Sequence, residues 1–165
     1  VFCPPENLSF KDKFDVICDV DGTIVDIKKR HALAKAGAKK GKKLNWNIFL
    51  DDKVILENDV EQEDVTGVIK SLIESGHRVI ITSARNERHR KVTEQQLANF
   101  GIKHSALFLR ADGDFRGDDD VKEELLGKIR EAGFDPKVAF DDRQKVVDRW
   151  RKIGIECYQV RFTNV

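Results

Sequence analysis

The chain has 165 residues, of which 40% are hydrophobic and 36% charged, and its formal net charge at pH 7 is +1. This balance is typical of one soluble globular domain that can bury a core, not of a generally basic protein. No apolar run approaches the length of a membrane span, and the three cysteines indicate small core residues rather than a disulfide framework. We therefore expect a cytoplasmic protein that does not contact a membrane.

The segment 1–13 differs from the remainder of the chain. It contains Pro4 and Pro5 and has the composition of a leader or linker. The chain contains no methionine, so we expect a processed protein or a piece of a longer one. Strand and helix patterns alternate from Phe14 onward, which predicts a single α/β domain over residues 14–165.

The most informative stretch is 14–23, where an apolar strand ends on two carboxylates and a glycine. Asp19 and Asp21 should point the same way, because side chains alternate along a strand with a period of two. Two carboxylates on one face repel each other unless a cation lies between them or one is protonated. The pattern therefore favours a Mg²⁺ site with a nucleophile and a proton donor over a solvated Asp-rich turn.

A basic segment without acidic residues follows at 27–50. Its basic residues are Lys28, Lys29, Arg30, Lys35, Lys39, Lys40, Lys42 and Lys43. Such a run is most often a solvated helix face, but this one enters where a cap over the site would lie. Trp46 and Phe49 close it with flat surfaces on which a base could stack. We expect a small, basic, mainly helical cap insert at about 26–60. Its substrate-binding residues would be Lys39, Lys40, Lys42, Lys43 and Trp46.

The rest of the chain alternates between helix and strand patterns. Helices are predicted over 62–75, 89–100, 120–132 and 144–153, and strands over 78–83, 106–110, 137–141 and 156–160. A glycine that can end a helix in the left-handed conformation follows each predicted helix: Gly76, Gly101, Gly133 and Gly154. This order predicts a Rossmann-like three-layer α/β fold with a parallel sheet between helices. Trp150, on the apolar face of the last helix, is predicted to be a core residue.

Polar side chains mark the ends of the later strands. They are Ser83, Arg85, Asp141 and Asp142, with Lys122 near the start of a helix. In an open parallel sheet, ligands bind outside the carboxyl ends of the strands, so these residues should converge with the first two aspartates. The basic residues at 85–91 lie at a helix N-terminus, where cations oppose the helix dipole. They indicate either a bound anion or an exposed, salt-bridged turn.

These motifs, in this order, resemble those of haloacid-dehalogenase (HAD) superfamily phosphatases. The resemblance implies the HAD fold and Mg²⁺-dependent hydrolysis of phosphomonoesters through an aspartyl-phosphate. It implies that Asp19 is the nucleophile and Asp21 the general acid and base. Ser83 and Lys122 would neutralise the transferring phosphoryl oxygens. The implied metal ligands are Asp19, the backbone carbonyl of Asp21, Asp142 directly and Asp141 through water.

The segment 107–160 further resembles the C-terminal 3′-phosphatase domain of bacteriophage polynucleotide kinase-phosphatases. The resemblance is carried by residues 112–124 and 141–151. The arginines of that family, which would hold the substrate phosphate, fall on Arg30 and Arg85. Its acidic residue falls on Asp118, which would orient Lys122 or Arg85. The kinase half of that family is absent from these residues.

The expected function is therefore a 3′-phosphatase that acts on nucleic-acid ends or nucleotides during end repair, with a fused or separate kinase or ligase as partner. One alternative is a small-molecule phosphatase, such as a nucleotidase, on the same fold. The other is a nucleic-acid end-binding module without turnover, which the complete set of catalytic positions disfavours.

Overall fold

The computed structural model of this chain describes residues 13–163. The expected leader at 1–13 therefore lies outside the described residues, apart from Lys13. The strands are β1 (Asp15–Asp19), β2 (Val25–Asp26), β3 (Val60–Glu61), β4 (Arg78–Asn86), β5 (Ala106–Arg110), β6 (Pro136–Arg143) and β7 (Glu156–Thr163). The α-helices are α1 (Lys28–Ala36), α2 (Trp46–Phe49), α3 (Asp52–Asn58), α4 (Glu63–Glu74), α5 (Arg90–Asn99), α6 (Asp118–Glu131) and α7 (Gln144–Lys152).

Five of the strands form one parallel sheet in the order β5-β4-β1-β6-β7. Strand β1 lies at its centre, where Ile17 pairs in register with Ile80 of β4 and Ala139 of β6. Because all five strands are parallel, their carboxyl ends meet at one edge of the sheet. The predicted α/β architecture is therefore confirmed, and the central strand is the one that ends at Asp19.

The strands bury both of their faces, as the continuous apolar pattern of β1 predicts. Val16 and Cys18 face one core with α4 and α5, whereas Ile17 faces a second core with α6 and α7. Cys18 lies fully buried in the first core, and its burial raises the pKa of its thiol well above the usual range. It is therefore a packing residue rather than a candidate nucleophile.

Element boundaries agree closely with the sequence patterns, with two informative extensions. Helix α6 begins at Asp118 rather than at 120, because three aspartates fill its first turn, where negative charge complements the helix dipole. Strand β4 continues past Ser83 through an irregularity in its pairing with β5 and so carries Arg85 to the carboxyl edge. The turn after α4 has Gly76 at φ 90°, the left-handed conformation expected there.

The insert after β1 is bounded by a short antiparallel pair. Val25 of β2 pairs with Glu61 of β3, and the helices α1, α2 and α3 lie between these two strands. Asn45 caps α2 by accepting from two backbone N–H groups, and Asp51 caps α3 by accepting from Val54 N at 2.9 Å. The insert is thus mainly helical and is attached directly to the end of the central strand.

Candidate active site

Three carboxylates meet at the carboxyl edge of the sheet. Asp19 ends β1, and Asp141 and Asp142 lie near the end of the neighbouring strand β6. One carboxylate oxygen of each residue lies within 4.8 Å of the corresponding oxygens of the other two. The three residues are only 1% to 6% exposed. Burial and the nearby Asp141 carboxylate raise the pKa of Asp19 well above its usual range.

The ammonium group of Lys122 faces this acidic cluster. Lys122 Nζ donates to Asp19 Oδ1 at 2.6 Å and lies 3.3 Å from Asp141 Oδ2. Burial opposes the charged form, but the two carboxylates outweigh it and raise the pKa of Lys122. Asp19 and Asp141 together exceed this ammonium by one negative charge, and a cation bound here would reduce their repulsion.

Protein donors hold both oxygens of Asp141. Its Oδ1 accepts from Asp142 N at 3.0 Å, and its Oδ2 accepts from Trp150 Nε1 at 3.2 Å as well as from Lys122. Asp142 Oδ1 accepts from Thr23 Oγ1 at 3.4 Å. The contact with Asp141 gives Trp150, predicted only as a core residue, a second role in holding this carboxylate.

The turn after β1 brings the backbone against Asp142. Gly22 has φ 85°, and a Cβ atom at this position would lie 2.2 Å from Asp142 Oδ2. Gln62 fixes the turn from the end of the insert, with its Nε2 donating to Gly22 O at 3.0 Å and to Thr23 O at 2.6 Å. The DGT sequence therefore needs its glycine for space as well as for conformation.

Asp21 does not share the acidic cluster. Strand β1 ends at Asp19, so Asp21 lies in the following turn, and its carboxylate is not one of the three that lie within 4.8 Å of one another. Its carboxylate instead accepts from two arginines: Arg30 Nη2, and Arg85 through Nη2 at 2.6 Å and Nε at 3.1 Å. Burial opposes the charged form of Asp21. The two guanidinium groups outweigh it, however, and hold the pKa of this carboxyl well below its usual range.

The same two arginines bind a second carboxylate, Asp59, at the end of α3. Arg30 Nε donates to Asp59 Oδ1 at 2.7 Å, and Arg85 Nη2 lies 3.4 Å from Asp59 Oδ2. The side chains of Arg30 and Arg85 are 0% and 1% exposed, against 21% for Asp21. The prediction that these arginines bind a substrate phosphate directly therefore does not fit their burial. Both lie behind Asp21, and sequence reasoning missed Asp59.

Ser83 and Asp118 make protein contacts that the sequence did not indicate. Ser83 is buried, and its Oγ accepts from Arg85 N at 3.2 Å, whereas the Lys122 ammonium is held by Thr82 through Oγ1 at 3.0 Å. Asp118 orients neither Lys122 nor Arg85. Its carboxylate pairs instead with Arg110 at 2.6 Å and with Arg143, because α6 begins at Asp118 and turns this side chain toward the ends of β5 and β6.

The basic insert exposes its predicted nucleic-acid contacts. Lys39, Lys40, Lys42 and Lys43 are exposed in the connection between α1 and α2. Trp46 is 61% exposed and meets Phe49 edge to face at 5.5 Å. In contrast, the residues after Arg85 form a salt-bridged turn, in which Arg90 pairs with Glu87 at 2.8 Å. His89 Nδ1 lies 3.1 Å from Asp52 Oδ1.

Comparison with protein families gives one match over most of the chain. The family model of the polynucleotide kinase PNKP phosphatase domain matches residues 14–164. Within residues 13–163, none of the helices combines the length and the apolar character that crossing a bilayer requires.

Solved structures resemble the chain over nearly its whole length. A chain of the Pnkp1/Rnl/Hen1 complex matches with a TM-score of 0.72 and 28% identity, over 93% of this chain and 47% of that one. A second structure, of the Pnkp1/Rnl/Hen1 RNA repair complex, gives 0.73 and 27% over 93% and 44%. This chain therefore spans less than half the length of those relatives. The class C acid phosphatase from Bacillus anthracis, with a TM-score of 0.62 and 17% identity over 92% and 67%, shares the fold.

Proposed function

The chain belongs to the family of the polynucleotide kinase PNKP phosphatase domain, and from this membership we propose that it removes 3′-phosphates from nucleic-acid ends or nucleotides with the aid of Mg²⁺. The family match bears out the resemblance predicted from the sequence, including the HAD fold and the phosphatase class. We propose in addition that the enzyme uses Mg²⁺, that it acts on 3′-phosphates and that it takes part in end repair.

The observation that supports the proposal is the convergence of three buried carboxylates at the carboxyl edge. Oxygen atoms of Asp19, Asp141 and Asp142 lie within 4.8 Å of one another, and Asp19 and Asp141 share the ammonium of Lys122. Carboxylate oxygens are the protein ligands that Mg²⁺ prefers, so the residues present fit this ion. We propose that Asp19, Asp142 and the backbone carbonyl of Asp21 bind it directly and that Asp141 binds it through water. The bound ion would neutralise charge on the phosphoryl group.

In the proposed reaction, an Asp19 oxygen attacks phosphorus as the bond to the ribose oxygen breaks, which leaves an aspartyl-phosphate. A proton from the Asp21 carboxyl goes to the departing oxygen, and the resulting carboxylate then takes a proton from the water that hydrolyses the intermediate. Ser83 and Lys122 would stabilise the phosphoryl oxygens. Products are inorganic phosphate and a hydroxyl, with Asp19 and Asp21 restored.

The two arginines favour the carboxylate form of Asp21, which is the form that the base step needs. A phosphate dianion bound beside Asp21 would raise its pKa by repulsion and so favour the protonated form for the acid step. We therefore assign Arg30 and Arg85 to Asp21 rather than to the substrate phosphate, because neither side chain is more than 1% exposed.

The preference for a polynucleotide rests on the insert. Four exposed lysines and the exposed Trp46 lie on the segment that enters directly after the nucleophile's strand. Lysines bind backbone phosphates and an indole can stack on a base. One of the similar structures is that of the Pnkp1/Rnl/Hen1 RNA repair complex. We extend this to the present chain only as a proposal, with a kinase or ligase as a fused or separate partner.

A substrate panel tests the function. The panel compares a 3′-phosphorylated oligonucleotide, a 5′-phosphorylated one, a 3′-nucleotide and a 5′-nucleotide, each with Mg²⁺, with Ca²⁺ and with excess chelator. We expect turnover of the 3′-phosphates with Mg²⁺, little with Ca²⁺, whose larger and looser shell misplaces the nucleophile, and none with chelator. Preferential use of the 5′-nucleotide would favour a nucleotidase. Binding of oligonucleotide without any turnover would favour the end-binding module.

The role of the insert has its own test, the replacement of Lys39, Lys40, Lys42 and Lys43 by Ala. We expect kcat/KM for the oligonucleotide to fall several-fold at low salt and the difference to shrink as salt rises, because phosphate contacts act largely through counterion release. Turnover of the 3′-nucleotide, which has no distal phosphates, should stay unchanged. Equal effects on both substrates would make the lysines a solvated surface and favour the small-molecule alternative.

A further inference from the structure

The insert contributes one carboxylate, that of Asp59, to the interior of the site in addition to the guanidinium of Arg30. Asp59 lies directly after α3, and its side chain is 0% exposed. Its Oδ1 accepts from Arg30 Nε at 2.7 Å, and its Oδ2 accepts from Arg30 Nη2 at 3.1 Å. This two-point contact fixes the plane of the guanidinium group as well as its position.

Helix α5 completes the arrangement from the other side. Gln96 Nε2 donates to Asp59 Oδ2 at 3.0 Å, while Gln96 Oε1 accepts from Arg85 Nη2 at 2.9 Å. Arg85 Nη1 donates to Thr93 Oγ1 at 3.2 Å. The Arg85 guanidinium therefore has Thr93, Gln96 and Asp59 as partners, while its Nε and Nη2 atoms donate to Asp21.

Charge balance shows why Asp59 is needed in this place. Arg30 and Arg85 are matched by two carboxylates, Asp21 and Asp59, and all four side chains are mostly or fully buried. Removal of one partner from a buried ionic group leaves an uncompensated charge. Without Asp59, both arginines would have Asp21 as their one carboxylate partner among the described residues, and nothing anionic would hold them in their present orientation.

We propose that Asp59 is a positioning residue for the acid–base step. Asp59 orients Arg30 and Arg85, and the two arginines orient the Asp21 carboxyl toward the departing ribose oxygen. The inference rests on the proposed function of Asp21, because it concerns proton transfer to the leaving group. The proposal also gives the insert a role in the acid–base step, since the insert supplies both Arg30 and Asp59.

The dependence of the rate on the leaving group tests this role. A ribose 3′-oxygen needs a proton to depart, whereas p-nitrophenolate departs readily without one. Asp59→Asn keeps the size of the side chain and removes its charge. We expect kcat/KM for a 3′-nucleotide to fall about 10- to 100-fold, with a change of less than about threefold for p-nitrophenyl phosphate. The ratio kcat/KM is the appropriate measure because it reports phosphoryl transfer to Asp19 and not the later hydrolysis.

Two further variants keep the test decisive. Asp51→Asn changes an exposed aspartate of the same insert to an equally good helix cap and should leave both rates unchanged. If Asp59→Asn does not fold, Gln96→Leu removes the bridge between Asp59 and Arg85 without changing charge. We expect it to give a smaller loss, about threefold to tenfold, again confined to the 3′-nucleotide.

Equal losses of kcat/KM on both substrates would show that Asp59 and Gln96 have a structural role only and would overturn the inference. An unchanged kcat/KM on both substrates would overturn it as well. Wild-type protein that hydrolyses p-nitrophenyl phosphate but not the 3′-nucleotide would overturn the proposed substrate instead. Wild-type protein inactive on both would overturn the proposed function and this inference with it.

Discussion

Strand β1 has a buried aspartate at each end, and the two aspartates have opposite electrostatic surroundings. At the amino end, Asp15 accepts from Arg78 Nε at 2.7 Å, from Arg78 Nη2 at 2.8 Å and from Asp135 N at 2.7 Å. At the carboxyl end, Asp19 shares a single ammonium, that of Lys122, with Asp141. At one end a single carboxylate thus has a guanidinium group and a backbone N–H as donors, whereas at the other end two carboxylates share one ammonium.

The pKa values of the two aspartates follow this difference. Burial opposes the charged form of Asp15, but the Arg78 and Asp135 hydrogen bonds outweigh it and lower its pKa. Burial of Asp19, together with the neighbouring carboxylates, raises its pKa well above the usual range. A carboxylate whose hydrogen bonds are met within the protein stabilises the fold, whereas a buried surplus of carboxylate is stable only with a proton or a metal ion.

Asp19→Asn gives the largest expected effect, because it removes the proposed nucleophile without changing side-chain volume. Turnover of a 3′-phosphate should fall on the order of 10³-fold or more. The melting temperature should stay the same or rise, since one of three mutually repelling carboxylates is gone. Steady-state hydrolysis and a thermal melt on the same preparation check both parts. Substantial activity in this variant would exclude the aspartyl-phosphate mechanism.

Gly22→Ala should give the next largest effect, through the position of Asp142. Its Cβ would lie 2.2 Å from Asp142 Oδ2, and φ 85° strains any residue other than glycine. We expect Asp142 to be displaced and the Mg²⁺ concentration for half-maximal activity to rise about 10- to 100-fold. The matched control is Gly113→Ala, at φ 81° with nothing within 4 Å of its Cβ, which carries the backbone strain without the clash. Equal responses of the two variants would argue against Asp142 as a metal ligand.

The sequence was sufficient to predict the sheet, the helices and the acidic cluster. The alternation of short apolar strands with helices sets the order of elements, and polar residues after parallel strands must meet at one edge. Asp19, Asp141 and Asp142 converge for that reason, and Lys122 reaches them from near the start of α6. These features depend on local patterns and on a simple topological rule.

The arginine arrangement could not be predicted, because it depends on the path of the insert. No periodicity indicates that Asp59 turns inward, and Asp21 was assigned by extending β1 two residues beyond its end. Asp118 was placed by family position, which does not determine the direction of its side chain. The position of Thr82 could have been predicted. The apolar strand pattern at 79–83 ends in two hydroxyl residues, and Thr82 pairs in register with Asp19.

Asp15→Asn gives the smallest expected effect on turnover and tests the other end of β1. Stability at pH 7 should fall by about 1–3 kcal/mol, because Arg78 and Asp135 N lose a charged acceptor, and the half-exposed Arg78 keeps the cost near the low end. The folded pKa of Asp15 is lowered, so its contribution is present above the unfolded value of about 3.9 and is lost as pH falls through the folded value. Urea unfolding at pH 7 and near pH 3 should therefore give a difference between variant and wild type that is smaller in acid.

Turnover of the folded Asp15→Asn variant provides the second half of this test. Its kcat/KM should match that of the wild type, because Asp15 lies at the opposite edge of the sheet from Asp19. A loss of turnover comparable to that of Asp19→Asn would contradict the assignment of a structural role to Asp15 and a catalytic role to Asp19.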